Sequence, residues 1–203
     1  IGIGQDAGAD FILIETMSDS LEVKAAVLAA KESCSLPVFA TMAFDEKGKL
    51  LTGGNVETIV ALLEGLRVDA LGLNCGLGPV QMKPIAEKLL KVSSLPVIVN
   101  PNAGLPRSEG SKTVYDIDSD QFAREMREIA KMGVFMMGGC CGTTPEHIEK
   151  TVRLCSGFQV RQPEKKNRTI VASYSQAVVI GENPVSIGER INPTGKSKFK
   201  QAL

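Results

Sequence analysis

The feature that most constrains the fold is a regular alternation of two kinds of segment. Short apolar stretches rich in β-branched residues recur along the chain, and each is followed by a stretch with helical periodicity. They begin near residues 11, 37, 70, 96 and 134, roughly 26 to 38 residues apart, which is the length of a strand plus a crossover helix. Their apolar residues run almost continuously, as in strands covered on both faces. The pattern predicts a parallel α/β protein with strands in 11–16, 37–44, 70–76, 96–104 and 134–142.

Helix boundaries are marked by residues that cap helix ends. Asp19 and Asn55 are typical N-cap residues, and Thr144 followed by Pro145 favours the start of the last helix. The predicted helices cover 19–33, 55–65, 78–92, 118–132 and 144–155.

Two architectures fit five strand–helix units, an open doubly wound sheet and part of a β/α barrel. Gly2, Gly4 and Ala7 spell a G-x-G-x-x-A fingerprint, but they precede a strand instead of following one, so we interpret the match as chance. Polar and thiol residues cluster where the predicted strands end, as in a barrel. They are Glu15, Asn74, Cys75, Asn100, Asn102, Cys140 and Cys141. We therefore expect the later strands of a (β/α)8 barrel of the TIM type.

Charge and hydropathy limit the kinds of partner. The 23 basic and 23 acidic side chains balance, which does not favour nucleic acid or an anionic membrane. No apolar run approaches the roughly 18 to 20 residues that span a bilayer, and no leader pattern opens the chain. We expect a cytoplasmic protein, and because the first residue is Ile1, an internal fragment of a longer chain.

Three of the five cysteines form a candidate metal site. Cys140 and Cys141 are adjacent, and neighbouring cysteines rarely form a disulfide because the small ring is strained. Cys75 would lie on the same rim of a barrel, so three soft ligands could converge on zinc and leave its fourth position open. The alternative, that these are buried cysteines filling space, stays open at this point. Cys34 and Cys155 lie near helix ends, where we expect structural roles.

The charge of such a site indicates its chemistry. Three thiolates outweigh the charge of Zn²⁺, so the site would polarise carbonyls poorly but would suit activation of an incoming thiol for alkyl transfer. His147, the only histidine, lies in the first turn of a predicted helix, where we expect it to be solvated. A single histidine does not favour conventional Ser/His/Asp or Cys/His catalysis within this chain.

Four motifs carry a resemblance to known enzymes. The segments LGLNCG (71–76), VNPNAGLP (99–106) and GGCCGTTPEHI (138–148) resemble the homocysteine-binding barrel of the homocysteine S-methyltransferases. SIGERINPTG (186–195) resembles the opening of the folate-binding barrel of the cobalamin-dependent methionine synthases.

The resemblance implies roles for individual residues. Cys75, Cys140 and Cys141 match the three zinc thiolates of the family. Glu15 matches the acidic residue that receives the substrate amino group, and Asn102 matches an asparagine close to the metal. The nucleophile would be homocysteine itself. Two further residues, Glu189 and Asn192, match positions near the pterin of methyltetrahydrofolate.

The resemblance also implies a domain organisation and a donor. We expect the end of a homocysteine and zinc barrel in 1–158, an interdomain linker in 159–184 and the start of a folate barrel in 185–203. The implied donor is methylcobalamin, recharged by methyltetrahydrofolate through modules of the same parent chain. Two alternatives stay open: a methyltransferase with another methyl donor, and a non-catalytic zinc or thiol module.

Overall fold

A five-stranded parallel sheet organises the protein, in a computed structural model that describes residues 1–181, 183–186, 188 and 197–202. The sheet order is β1-β2-β3-β4-β7, and two antiparallel hairpins, β5–β6 and β8–β9, lie outside it. The strands are β1 (Ile12–Met17), β2 (Val38–Met42), β3 (Ala70–Asn74), β4 (Val97–Asn100), β5 (Pro106–Glu109), β6 (Lys112–Tyr115), β7 (Met136–Met137), β8 (Thr169–Ala172) and β9 (Ala177–Ile180).

The helices begin at the predicted caps. The Asp19 carboxylate accepts the backbone N–H groups of Leu21 and Glu22, and Asn55 accepts that of Thr58. Each cap satisfies N–H groups that have no partner within the helix. The helices are α1 (Gly2–Asp6), α2 (Ser20–Ser33), α3 (Val56–Gly65), α4 (Pro79–Val92), α5 (Ser119–Ala130), α6 (Pro145–Cys155) and α7 (Ser197–Ala202).

Strand order decides between the two predicted architectures. Neighbours in the sheet follow chain order without the reversal that defines a doubly wound sheet. Ile14, Ala40, Leu71 and Val97 stand in register across four strands, and all four are buried. They share one core cluster with Val27, Leu63 and Ile85 of α2, α3 and α4. The described chain is therefore a singly wound α/β unit, as in a β/α barrel.

The opposite face of the sheet is partly open. Phe11 stacks on Phe39 with ring centroids 4.8 Å apart, and Phe135 meets Phe39 edge-on at 6.1 Å. Phe11 is 39% exposed and Phe135 is 40% exposed. An aromatic cluster thus covers this face only in part.

The segment after α6 runs along the amino ends of β4 and β7. The Arg161 N–H donates to the Gly133 carbonyl at 2.9 Å, and the Lys166 N–H donates to Ser94 Oγ at 2.9 Å. The β8–β9 hairpin then packs against α3. Among the described residues, no helix combines the length and the apolar character that crossing a membrane requires.

The structure departs from the sequence predictions at two strands and at His147. The strand predicted for 96–104 already ends at Asn100. The strand predicted for 134–142 is regular only at Met136–Met137, because the following GGCCG segment turns towards the neighbouring loops. The prediction of a solvated His147 is wrong: it is only 8% exposed and meets the Phe122 ring edge-on at 5.4 Å. Its Nδ1 accepts the Thr144 N–H at 3.3 Å, so it closes a capping box at the start of α6. The predicted folate residues Glu189 and Asn192 lie outside the described residues.

Candidate metal centre

Three cysteine sulfur atoms converge at the carboxyl end of the sheet. Cys75 Sγ lies 3.6 Å from Cys141 Sγ, and the latter lies 4.0 Å from Cys140 Sγ. All three lie within 4.8 Å of one another, a spacing that could hold a metal ion. Tetrahedral zinc with bonds of about 2.3 Å to sulfur would place its thiolates about 3.8 Å apart. The two sulfur–sulfur distances are close to this spacing, so the three cysteines fit a zinc ion.

Cys75 reaches this point because the chain turns sharply after β3. It follows Asn74, the last residue of that strand, and its φ of 61° lies in the left-handed region that side chains other than glycine rarely adopt. Its N–H still continues the ladder by donating to the Asn100 carbonyl at 3.1 Å. Strand pairing thus fixes the backbone, and the turn directs the thiol to the rim.

The vicinal pair is held by the loop after β4. The Cys140 N–H donates to the Pro101 carbonyl at 2.8 Å, and the Cys141 N–H donates to Asn102 Oδ1 at 3.1 Å. The Cys141 carbonyl in turn accepts the Ala103 N–H at 2.9 Å. Hydrogen bonds, two of them between backbone groups, therefore join two motifs that are distant in the sequence.

The two residues implied to bind substrate have different environments. Asn102 is 3% exposed, and its side-chain oxygen accepts the Cys141 backbone N–H, which holds that part of the loop in place. Glu15 is exposed at the carboxyl end of β1. It lies in a bulge, because Ile14 pairs with Ala40 whereas Met17 pairs with Met42, leaving two β1 residues opposite one.

Two residues near the thiols were not assigned roles from the sequence. Asn74 is completely buried, and its Nδ2 lies 3.8 Å from Cys140 Sγ. Tyr115, at the end of the β5–β6 hairpin, lies beside the vicinal cysteines, and its ring packs over Gly142, the residue that follows Cys141. The position of Asn74 at the end of a predicted strand could have indicated a role near the site. The position of Tyr115, in contrast, depends on how the β5–β6 hairpin folds back towards the sheet.

Proximity and burial separate the proton affinities of the metal-free thiols. A hydrogen bond with Cys75, supported by one with Tyr115, lowers the pKa of Cys141. Burial, together with Cys75, raises the pKa of Cys140 to about 12. Burial and the hydrogen bond with Cys141 likewise raise the pKa of Tyr115. Without metal, the Cys141 thiol therefore ionises more readily than the Cys140 thiol, and a bound cation would favour ionisation of both.

Comparisons with known proteins agree with this fold and cover the residues of the site. A sequence profile of the homocysteine S-methyltransferase family matches residues 2–155. The methionine synthases of Mycobacterium leprae and Mycobacterium tuberculosis are 36% and 34% identical to the chain over 98% of its length. The chain spans only 18% and 17% of the length of these two relatives.

Solved structures agree with the sequence relatives. The crystal structure of the homocysteine methyltransferase MmuM from Escherichia coli in its apo form is 26% identical, with a TM-score of 0.61, over 74% of this chain and 51% of that chain. Its metallated form is 28% identical, with a TM-score of 0.58, over 73% and 46% of the two chains.

Fold and site together define a singly wound α/β protein with a three-thiol metal-type cluster at the carboxyl end of its parallel sheet. The profile match covers most of the chain and includes all three cysteines. The chain belongs to the homocysteine S-methyltransferase family.

Proposed function

We propose that this chain carries part of the active site of a methyltransferase that methylates the sulfur of homocysteine to give methionine. The observation that carries the proposal is the spacing of the three sulfur atoms, with pairs at 3.6 and 4.0 Å. Cys75, Cys140 and Cys141 would hold zinc, leaving the fourth tetrahedral position to a substrate thiol. Bound zinc would lower the pKa of that thiol, and the negative thiolate set would keep its sulfur nucleophilic.

Residues of the chain would position the rest of the substrate. The exposed Glu15 carboxylate would receive the ammonium group in a charge-assisted hydrogen bond. Asn102 would hold Cys141 through the backbone N–H that it already accepts, and it would lie close enough to the cluster to approach the metal in the absence of substrate. The substrate sulfur then donates an electron pair to the methyl carbon, whose bond to the donor breaks with its electrons remaining on the donor.

For the donor, we propose methylcobalamin recharged by methyltetrahydrofolate, both bound by other parts of the parent chain. The match to methionine synthases supports this donor, because it covers 98% of the chain and so continues beyond residue 155, where the family profile ends. On this proposal, 1–158 is the end of the homocysteine barrel, 159–184 is a linker, and 185–203 begins the folate barrel with Glu189 and Asn192.

Zinc-edge X-ray absorption of the intact parent protein, with and without homocysteine, tests the proposal. We expect three sulfur neighbours without homocysteine and a fourth when it is added. An unchanged zinc shell would instead support a non-catalytic metal module. Turnover with methylcobalamin but not with S-methylmethionine or betaine would support the proposed donor, and the reverse preference would exclude it.

A further inference from the structure

Asn74 links the end of β1, next to Glu15, to the three-thiol cluster. Its side chain contacts Thr16, Thr41 and Cys140. Its Oδ1 accepts the Thr16 backbone N–H at 2.8 Å and the Thr41 hydroxyl at 2.7 Å. Its Nδ2 donates to Thr16 Oγ1 at 2.6 Å and lies 3.8 Å from Cys140 Sγ. A side-chain amide offers two lone pairs and two N–H groups, so all four are used.

The orientation of this amide follows from one partner. A backbone N–H can only donate, so the amide atom facing Thr16 N must be the oxygen. The nitrogen therefore faces Cys140, and its second N–H is directed at the sulfur. Because Asn74 is completely buried, water does not compete for this contact.

The Thr16 side of the network supports the β1 bulge. Thr16 has a φ of 60°, which is strained for a β-branched residue. Both its N–H and its hydroxyl are held by Asn74, so the amide stabilises the backbone next to Glu15. One buried side chain thus links the residue proposed to bind the substrate ammonium with a thiolate proposed to bind the metal.

We infer that Asn74 is a positioning residue that donates an N–H group to the Cys140 thiolate and fixes the Glu15 bulge relative to the metal. The inference rests on the proposed zinc site. Hydrogen bonds from neighbouring groups orient metal ligands and tune the charge on them. Asn74 would therefore raise zinc affinity and set the electron density of the Cys140 sulfur, although it is not itself a ligand.

The substitution Asn74→Asp in the intact protein tests the sulfur contact with little change in shape. The carboxylate can still accept from Thr16 N and Thr41 Oγ1, and the Thr16 hydroxyl can turn to donate to it, so Cys140 is the partner whose hydrogen bond is lost. A carboxylate oxygen then faces the sulfur in place of an N–H group, which removes the donor and adds repulsion to the thiolate. The matched control is Thr41→Val, which removes a hydrogen bond to the same amide without touching sulfur.

We expect Asn74→Asp to lower zinc affinity, measured by competition with a chromophoric chelator, by about 10- to 100-fold, and Thr41→Val to leave it within about threefold. In the cobalt-substituted protein, the sulfur-to-cobalt charge-transfer band should move to lower energy in Asn74→Asp alone. Equal or tighter zinc binding with an unshifted band would overturn the inference.

A measurement on the unmodified protein covers the case in which Asn74→Asp does not fold. With an NMR-active cadmium isotope bound, scalar coupling should connect the metal to the Asn74 amide proton through the sulfur, and its absence in a well-resolved spectrum would overturn the inference. If the unmodified protein binds no metal at all, the proposed function fails. If it binds metal without this coupling, only the role of Asn74 fails.

Discussion

The sulfur atoms of Cys75 and Cys141 lie 3.6 Å apart although 66 positions separate the two residues in the sequence. They meet because β3, β4 and β7 are parallel neighbours whose carboxyl ends lie at one edge of the sheet. The contact is thus a product of strand order, and it supports specific predictions about metal binding and stability.

Replacing one cluster cysteine should abolish tight zinc binding. In Cys141→Ser, we expect zinc affinity to fall by more than the roughly 100-fold that loss of a supporting hydrogen bond can cause, because a ligand itself is lost. Cys155→Ser provides a matched control, since Cys155 packs against the hydrophobic core and is not one of the three clustered thiols. Zinc content after dialysis against a chelator measures both variants, and equal zinc retention would contradict the metal site.

Gly142→Ala should disturb the packing of the Tyr115 ring next to the vicinal cysteines. Gly142 has a φ of 78°, and an added Cβ would lie far inside van der Waals contact with the Tyr115 ring. We expect a loss of about 1–3 kcal/mol in the free energy of unfolding and weaker zinc binding, because the ring that packs beside the cluster must move. Thermal unfolding with and without zinc measures both effects.

Gly157→Ala is the control for that variant. Gly157 has no atom within 4 Å of an added Cβ, so we expect a change within about 0.5 kcal/mol. Equal stability and zinc affinity for the two alanine variants would show that the Tyr115 packing over Gly142 is unimportant.

Gly72→Ala should destabilise the centre of the sheet. An added Cβ on this β3 residue would collide with the backbone of Ile98 on β4, which cannot move without breaking strand pairing. We expect the free energy of unfolding to fall by about 3 kcal/mol, the upper end for overpacking. In contrast, Gly65→Ala at the end of α3 meets no atom within 4 Å and should change stability by less than about 1 kcal/mol. Urea unfolding of the intact protein distinguishes the two.

Stability should depend on pH through Lys150, which joins α5 to α6. Its Nζ lies 2.7 Å from Asp120 and 2.9 Å from Glu146, and these hydrogen bonds lower the pKa of both carboxyl groups. A lowered carboxyl pKa contributes stability above the ordinary values of 3.8 and 4.5, and this stability is lost as the pH falls through the lowered values. Lys150→Met should therefore be less stable than the unmodified protein at neutral pH, with the difference shrinking in acid.

Unfolding curves from about pH 7 to pH 3, at low and high salt, measure that difference. Lys24→Met is the control, since Lys24 on α2 forms no ion pair within the described part of the chain. A stability gap for Lys150→Met that stays constant with pH would argue that packing, rather than charge, dominates at this site.

The sequence by itself determined the strand–helix alternation and the candidate ligands. Continuous apolar segments and caps such as Asp19 and Asn55 act locally, so their effect on the backbone can be recognised without the fold. The grouping of Cys75 with Cys140 and Cys141 also followed, because parallel strands end at a common edge. The roles of Glu189 and Asn192 stay predictions, since both residues lie outside the described part of the chain.

Only the tertiary structure decided how the site is supported. His147 is buried because α6 packs against Phe122 of α5, which a local pattern of polar residues does not reveal. Tyr115 reaches Cys141 through a short hairpin of exposed strands, and Asn74 reaches Cys140 across the sheet. Such contacts depend on where distant segments meet in three dimensions, whereas helices, strands and caps depend on neighbours in the chain. The sequence therefore identifies the candidate metal ligands, and the packing of the sheet determines the geometry in which they meet.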